Sequence, residues 1–431
     1  MDYDSPHLVT QARADAMREI ILMSFLGPDQ PRQFTRLMAV LSRHGLDVLD
    51  VGQGVIHDQL TLGIVTASPD ATNTALAMRD MLLIAQELGL TVRFEPISTD
   101  DYERWVSEGG QTRYIVTVLA RSLTPAHLSA VSGVISRYGF NIETLNRLSG
   151  RLPLAAIASA QNNGKACVEF GVRGKLLDAQ ALRADCLRLS AEQSIDIAVQ
   201  EDNVYRRNRR LVCFDMDSTL IEQEVIDELA KEAGVGHQVA EITERAMSGE
   251  LDFNQSFAAR VALLKGLDAS VLAAIAERLT ITEGAAQLIS TLKALGYRTA
   301  ILSGGFTYFA QYLQQKLGID EVHANHLDIV DGKVTGEVKG RIVDGARKAE
   351  LLREIAQREG IRLEQAIAVG DGANDLPMLS IAGLGVAFRA KPLVRQSANQ
   401  AISSVGLDGI LYLLGVRDYD LPSTAQLINP N

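Results

Sequence analysis

Residues 211–220, LVCFDMDSTL, decide how the chain is read. Four apolar residues, enough for a short buried strand, run straight into Asp215, Met216, Asp217, Ser218 and Thr219. Side chains alternate along a strand, so Asp215 and Asp217 leave it on the same side. Two carboxylates held side by side repel each other, and a cation or a shared proton has to relieve them. Working outward, YRTAILSGG (297–305), IAVGDGAND (367–375) and LGVAF (384–388) are further apolar runs separated by helical periodicity. IVDGKV (329–334) reads as a hairpin with an Asp331-Gly332 turn. Strands alternating with helices predict an α/β, doubly wound parallel sheet of Rossmann-like type over 203–431.

Ligands of such sheets bind outside the carboxyl ends of the strands, and here the polar residues gather at those ends. Asp371 and Asp375 follow IAVG directly, so a second pair of carboxylates joins the first. Hard oxygen ligands from two strand ends suit Mg²⁺, which prefers a few carboxylates, waters and a substrate phosphate. Ser303 and Gly304 open a glycine turn whose backbone N–H groups can face an anion. Lys348, at a predicted helix start after the hairpin, adds a fixed positive charge. Four chain segments thus predict one phosphate cradle.

Composition narrows the class. The chain has 431 residues, 47% of them hydrophobic, a length that predicts two to three domains with large cores. Its formal net charge of -11 leaves no basic footprint for nucleic acid and would repel an anionic membrane, so neither is an expected partner. The opening MDYDSPHLVTQARADAMRE lacks the apolar run of a signal peptide, and a cytoplasmic location is expected. Cys167, Cys186 and Cys213 are odd in number and lack CxxC spacing, which reads as small buried hydrophobes. QEDNVYRRNRR (200–210) reads as a solvated linker.

The first 200 residues hold an internal repeat. EIILMSFLGPDQPRQFT (19–35) aligns with RYIVTVLARSLTPAHLS (113–129), and the same offset of 94 aligns VLSRHGLDVLDV (40–51) with VISRYGFNIETL (134–145). Each copy reads as βαββαβ, an α+β unit, with Gly45 or Gly139 where a helix C-cap belongs. The order resembles the ACT domain, a module that often binds amino acids, and predicts domains at 1–105 and 106–202. The resemblance implies a possible amino-acid effector and a homodimer. Where effector-binding ACT modules commonly carry a glycine after the loop proline, this chain has Arg32 and Ala126, which leaves a purely structural or dimerising role equally open.

DMDST, LSGG, the isolated Lys348 and GDGANDLPM, in that order, resemble the four motifs of the haloacid dehalogenase superfamily of phosphotransferases. The resemblance implies Asp215 as nucleophile and Asp217 as general acid/base. It implies Mg²⁺ held by Asp215, Asp371 and the backbone carbonyl of Asp217, with Asp375 as support, and phosphoryl oxygens held by Ser303, Gly304, Lys348 and Asn374. Residues 222–285 show helical periodicity alone and predict a small helical cap. Within the superfamily the phosphoserine phosphatases carry a Glu in ExxDE and an Arg in FxxSxxxRV; Glu224 and Arg260 match them, and Met247 and Phe253 match apolar pocket positions. The match implies phosphoserine as substrate and a place at the last step of serine biosynthesis. The alternatives are another small phosphorylated amino acid or sugar, or a serine-sensing regulatory protein with a silent catalytic half.

Overall fold

The computed structural model describes residues 19–68, 70–151, 164–247 and 250–421, and the N-terminal stretch quoted above falls almost wholly outside them. The chain divides into two compact units, 1–111 and 112–431. In the first, β1 (Glu19–Pro28), β2 (Asp47–Ile56), β3 (Gln59–Ser68) and β4 (Thr91–Ile97) form an antiparallel sheet in the order β2-β3-β1-β4. Helices Gln33–Arg43 and Ala71–Glu87 pack on it, and Met23, Phe25, Leu37, Ile64 and Met81 form a closed core between them. A further helix, Thr99–Glu108, follows β4; it starts where the Ser98 side chain accepts the N–H of Asp101.

The second unit opens with the same design. β5 (Arg113–Ala120), β6 (Asn141–Arg147), β7 (Ala166–Arg173) and β8 (Asp196–Glu201) pair in the order β6-β7-β5-β8, the first order shifted by four strands. The ladder irregularity between Val48 and Asp50 recurs between Ile142 and Thr144, again 94 residues on. A bulge is a built feature, so its repetition carries the duplication into three dimensions. The two copies differ at the loop proline: Arg32 sits at a φ of 70°, the region glycine prefers, whereas Ala126 lies inside the helix Pro125–Arg137.

Then comes a seven-stranded sheet: β9 (Leu211–Phe214), β10 (Arg298–Phe306), β11 (Glu321–Val330), β12 (Lys333–Lys339), β13 (Ala366–Gly370), β14 (Leu384–Phe388) and β15 (Gln400–Ile402). The order is β12-β11-β10-β9-β13-β14-β15, parallel except for the β11-β12 hairpin. Asp331 and Gly332 both have positive φ, as a two-residue type I′ turn requires. β9 lies at the centre, and the chain winds outward from it first through β10 and then through β13. That reversal creates the crevice in which open α/β sheets bind ligands. Between β9 and β10 four helices, Val225–Glu232, Gly236–Met247, Phe253–Ala262 and Val271–Arg278, form an insertion whose two ends meet at the Ile221–Ile281 bridge.

The arginine run is not a solvated linker. Arg206 is buried against Glu169 at 2.8 Å, and Arg209, also buried, donates to Gln200 Oε1 at 2.8 Å. Charge composition alone suggests a wet segment, but this one runs through the seam between β8 and the large sheet. There the Gln400 side chain accepts the Val199 N–H and donates to its carbonyl. Arg121 and Glu283 form a two-pronged ion pair at 2.7 Å. The three cysteines are free and buried, as expected. Among the described residues no helix is long and apolar enough to cross a membrane.

The seam is anchored by Asp196, 2% exposed, which accepts from Ser403 N, Ser404 N and Ser404 Oγ at 2.9, 2.8 and 2.6 Å. Asp196→Ala strands the N–H groups of the half-buried Ser403 and Ser404. It should lower unfolding stability by about 3 kcal/mol in urea melts, and a change under about 0.5 kcal/mol would refute an anchoring role.

Candidate active site

β9 ends at Phe214, and the Asp215 N–H still donates to Val369 O at 2.8 Å, so the carboxylate stands at the last rung of the ladder. The chain then turns sharply. Ser218 has a φ of 55°, and the N–H groups of Thr219, Leu220 and Ile221 all return to the Met216 carbonyl. This turn reverses the backbone within five residues and delivers Asp215 and Asp217 to one cleft. On the neighbouring strand, Gly370 leads into Asp371, whose Oδ1 accepts the Thr219 hydroxyl at 3.1 Å.

Lys348 lies behind Asp215. Its ammonium, with no solvent exposure, contacts Asp215 Oδ2 at 2.8 Å and Asp375 Oδ1 at 2.7 Å. Burial alone would push the ammonium toward its neutral form; Asp215 and Asp375 outweigh that and raise its pKa, so it stays charged. Asp375 is fixed further by the Gly372 N–H on its Oδ2 at 2.9 Å. The lysine is in the first turns of the helix Gly345–Arg358, whose start is fixed by the Asp344 side chain accepting the Arg347 N–H.

One cleft of about 640 Å³ is lined by Asp215, Asp217, Glu224 and Asp371, and on its cap side by Phe253 and Arg260. Gly304 and Asn374 line it too. Ser303 does not: it is fully buried and its Oγ accepts the Gly305 N–H at 2.9 Å. The side chain of Met247 lies outside the described residues. Phe253 stacks on Phe257, ring centres 6.0 Å apart, and a Cβ on Gly304 would come within 3.0 Å of Phe253. The ring thus closes onto the glycine turn, which Asn325 braces by bonding Gly304 O and the Val343 N–H, each at 2.8 Å.

Some lining residues have no signal in the sequence. Lys391, Leu393 and Val394 come from the segment after β14, and Thr243, Ala246 and Leu251 from the helical insertion. Gly305 could have been found from its motif: a Cβ there would sit 2.4 Å from Asp217 Oδ2, so only glycine fits.

The site is electrostatically overloaded with acid. Burial, then Glu224 and Asp215, holds the Asp217 carboxyl well above the usual carboxylate range, while the Val225 N–H fixes its Oδ1 at 3.0 Å. Burial likewise raises Glu224, although the Ser218 hydroxyl donates to its Oε1 at 2.8 Å. Arg260 is depressed by burial, opposed by Glu224, Asp227 and Asp217, and its Nε donates to the Ser256 carbonyl at 3.4 Å. Glu224 and Arg260 therefore face one cleft, each with capacity to bind a ligand group of opposite sign.

Ligand atoms of Asp215, Asp371 and Asp375 lie within 4.8 Å of one another. An all-oxygen set of this charge, with room for water and a phosphate oxygen in the cleft, fits a hard divalent cation such as Mg²⁺. Burial, then Asp215 and Asp375, pushes Asp371 up to about 8. Below that pH the carboxyl holds a proton that a metal must displace. Affinity for Mg²⁺ should fall by up to about tenfold per pH unit from pH 8 to pH 6 in calorimetric titrations, and a pH-independent affinity would contradict this site.

Comparison with known proteins agrees with this geometry. Residues 212–380 match the family model of haloacid dehalogenase-like hydrolases and 19–95 that of the ACT domain. A phosphoserine phosphatase of Streptomyces coelicolor is 42% identical over 92% of this chain and 92% of its own. One from Mycobacterium tuberculosis is 40% identical over 92% and 93%. The crystal structure of a probable phosphoserine phosphatase from Vibrio cholerae superposes with a TM-score of 0.55 at 36% identity, covering 70% of this chain and 86% of that one.

Proposed function

The chain belongs to the phosphoserine phosphatase family of haloacid dehalogenase-like hydrolases, and we propose that it hydrolyses O-phosphoserine to serine and phosphate through an aspartyl phosphate at Asp215. The observation that carries this reading is a pair of carboxylates in contrasting surroundings at one cleft. Asp215 is tied to a buried ammonium, and burial and acidic neighbours hold the Asp217 carboxyl well above the usual carboxylate range. Two carboxyl groups in such different surroundings suit a nucleophile and an acid.

Asp215 attacks phosphorus in line, and the serine oxygen leaves opposite it. Asp217, with Oδ1 held by Val225, carries its proton on Oδ2 and gives it to that oxygen; it then takes a proton from the water that cleaves the acyl phosphate. The Lys348 ammonium holds Asp215 in place between turnovers. Ser303, buried behind the cleft, accepts from Gly305 and so fixes the glycine turn, and Gly304 and Asn374, which line the cleft, hold the phosphoryl oxygens. Mg²⁺, bound by Asp215, Asp371 and the Asp217 carbonyl with Asp375 in support, would screen the nucleophile from the phosphate and stabilise charge on the phosphoryl group.

Glu224 receives the substrate ammonium and Arg260 its carboxylate, while Phe253 walls the pocket. The helical insertion acts as a cap that excludes water on closing. The matched ACT model over 19–95 supports an amino-acid effector for the N-terminal modules, and a homodimer goes with that reading. The corresponding division is 1–105, 106–202 and 203–431.

Phosphate release from phosphoserine is the direct assay. Asp215→Asn should lower kcat by about four orders of magnitude or more, and full turnover by that variant would end the aspartyl-phosphate reading. Arg260→Ala should raise KM for phosphoserine about 30-fold or more with a smaller effect on kcat. An unchanged KM would point to a substrate without the carboxylate.

A further inference from the structure

A second cleft, of about 590 Å³, lies in the seam between the second βαββαβ module and the seven-stranded sheet. Leu182, Cys186 and Ile197 of the module line one side, and Leu384, Ala398 and Ala401 the other. At its wall stands Arg209, only 6% exposed. Its Nη2 donates to two neutral acceptors, Gln200 Oε1 at 2.8 Å and Gly383 O at 3.5 Å. Its Nε and Nη1 have no hydrogen-bond partner, and no carboxylate lies within ion-pair distance among the described residues. The neighbouring Arg206 is neutralised by Glu169 at 2.8 Å and makes no amends. Burial and the charge of Arg206 push Arg209 down to about 10, which leaves it a cation at neutral pH.

A buried guanidinium without a counter-ion is a costly arrangement unless an anion completes it. We propose that this cleft binds a small carboxylic acid with an aliphatic body, its carboxylate drawn to the Arg209 guanidinium at the cleft wall and its body along Leu182, Ile197 and Leu384. This deepens the effector reading given above and rests on it, but it uses neither catalytic carboxylate. Arg183 also lines the cleft and is held by the Gln396 and Ala398 carbonyls, while Glu201 and Glu364, at the same cleft, disfavour a doubly charged phosphate over a monocarboxylate. Because Ala398 and Ala401 line this cleft while Lys391, Leu393 and Val394 line the catalytic one, one short segment borders both.

Calorimetric titration of the full chain with sodium hexanoate tests the proposal, with hexan-1-ol, hexylammonium and inorganic phosphate as matched probes. Hexanoate should bind saturably at one site and the alcohol and amine should not. Arg209→Met should weaken hexanoate at least tenfold. Ala179→Trp, which fills the cleft from an exposed position, should do the same and decides the matter if the arginine variant does not fold. No saturable heat from hexanoate, equal binding by the wild type and both variants, or phosphate heat that Arg209→Met abolishes would each overturn it. Heat of binding is read without turnover, so this failure and failure of the phosphatase reading are distinct.

Discussion

The site depends on one buried cation. Lys348 has no access to water, and its charge is tolerable only because Asp215 and Asp375 flank it at hydrogen-bonding distance. The same contacts hold Asp215 at the end of the central strand and tie the segment after β13 to the helix Gly345–Arg358. Two strand ends and a helix are thereby locked around one ammonium, and Asp371 and Asp217 stay outside that lock. Net acidity at the cleft follows from counting: Asp215, Asp217, Glu224, Asp371 and Asp375 stand against Lys348, Arg260 and Lys391.

Much of this was legible from the chain alone, for a physical reason. Short continuous apolar runs lead into Asp215 and Asp371 at strand ends and into Ser303 where the β10 ladder becomes irregular, and the strand ends of such sheets are where ligands bind. The insertion after β9 was legible because its apolar spacing is helical throughout. Lys348 carries no such signal by itself; only its order among the other motifs singled it out. Contacts that depend on tertiary packing stayed hidden. Asn325 bracing the glycine turn and the segment at 391–394 belong to residues whose local sequence is unremarkable.

The misread stretch teaches the converse. Four arginines in eleven residues look like a wet linker, because charge usually seeks water. Arg206 and Arg209 are instead enclosed, since β8 and the large sheet meet there and the connection between them has nowhere else to run. Composition reports the average environment of a residue type, and a seam between two sheets is where that average fails. The duplicated module shows the opposite case: two sequences with modest identity keep the same ladder irregularity, because a one-residue slip would turn every inward side chain outward.

The amide of Gln400 has a last consequence. β8 is the outermost strand of its sheet, and such a border normally offers a row of free donors and acceptors to any extended peptide. At Val199 both backbone groups are already taken by that one side chain. A glutamine thus plays the part of an additional strand, shutting the border against polymerisation while leaving the two sheets free of a continuous ladder.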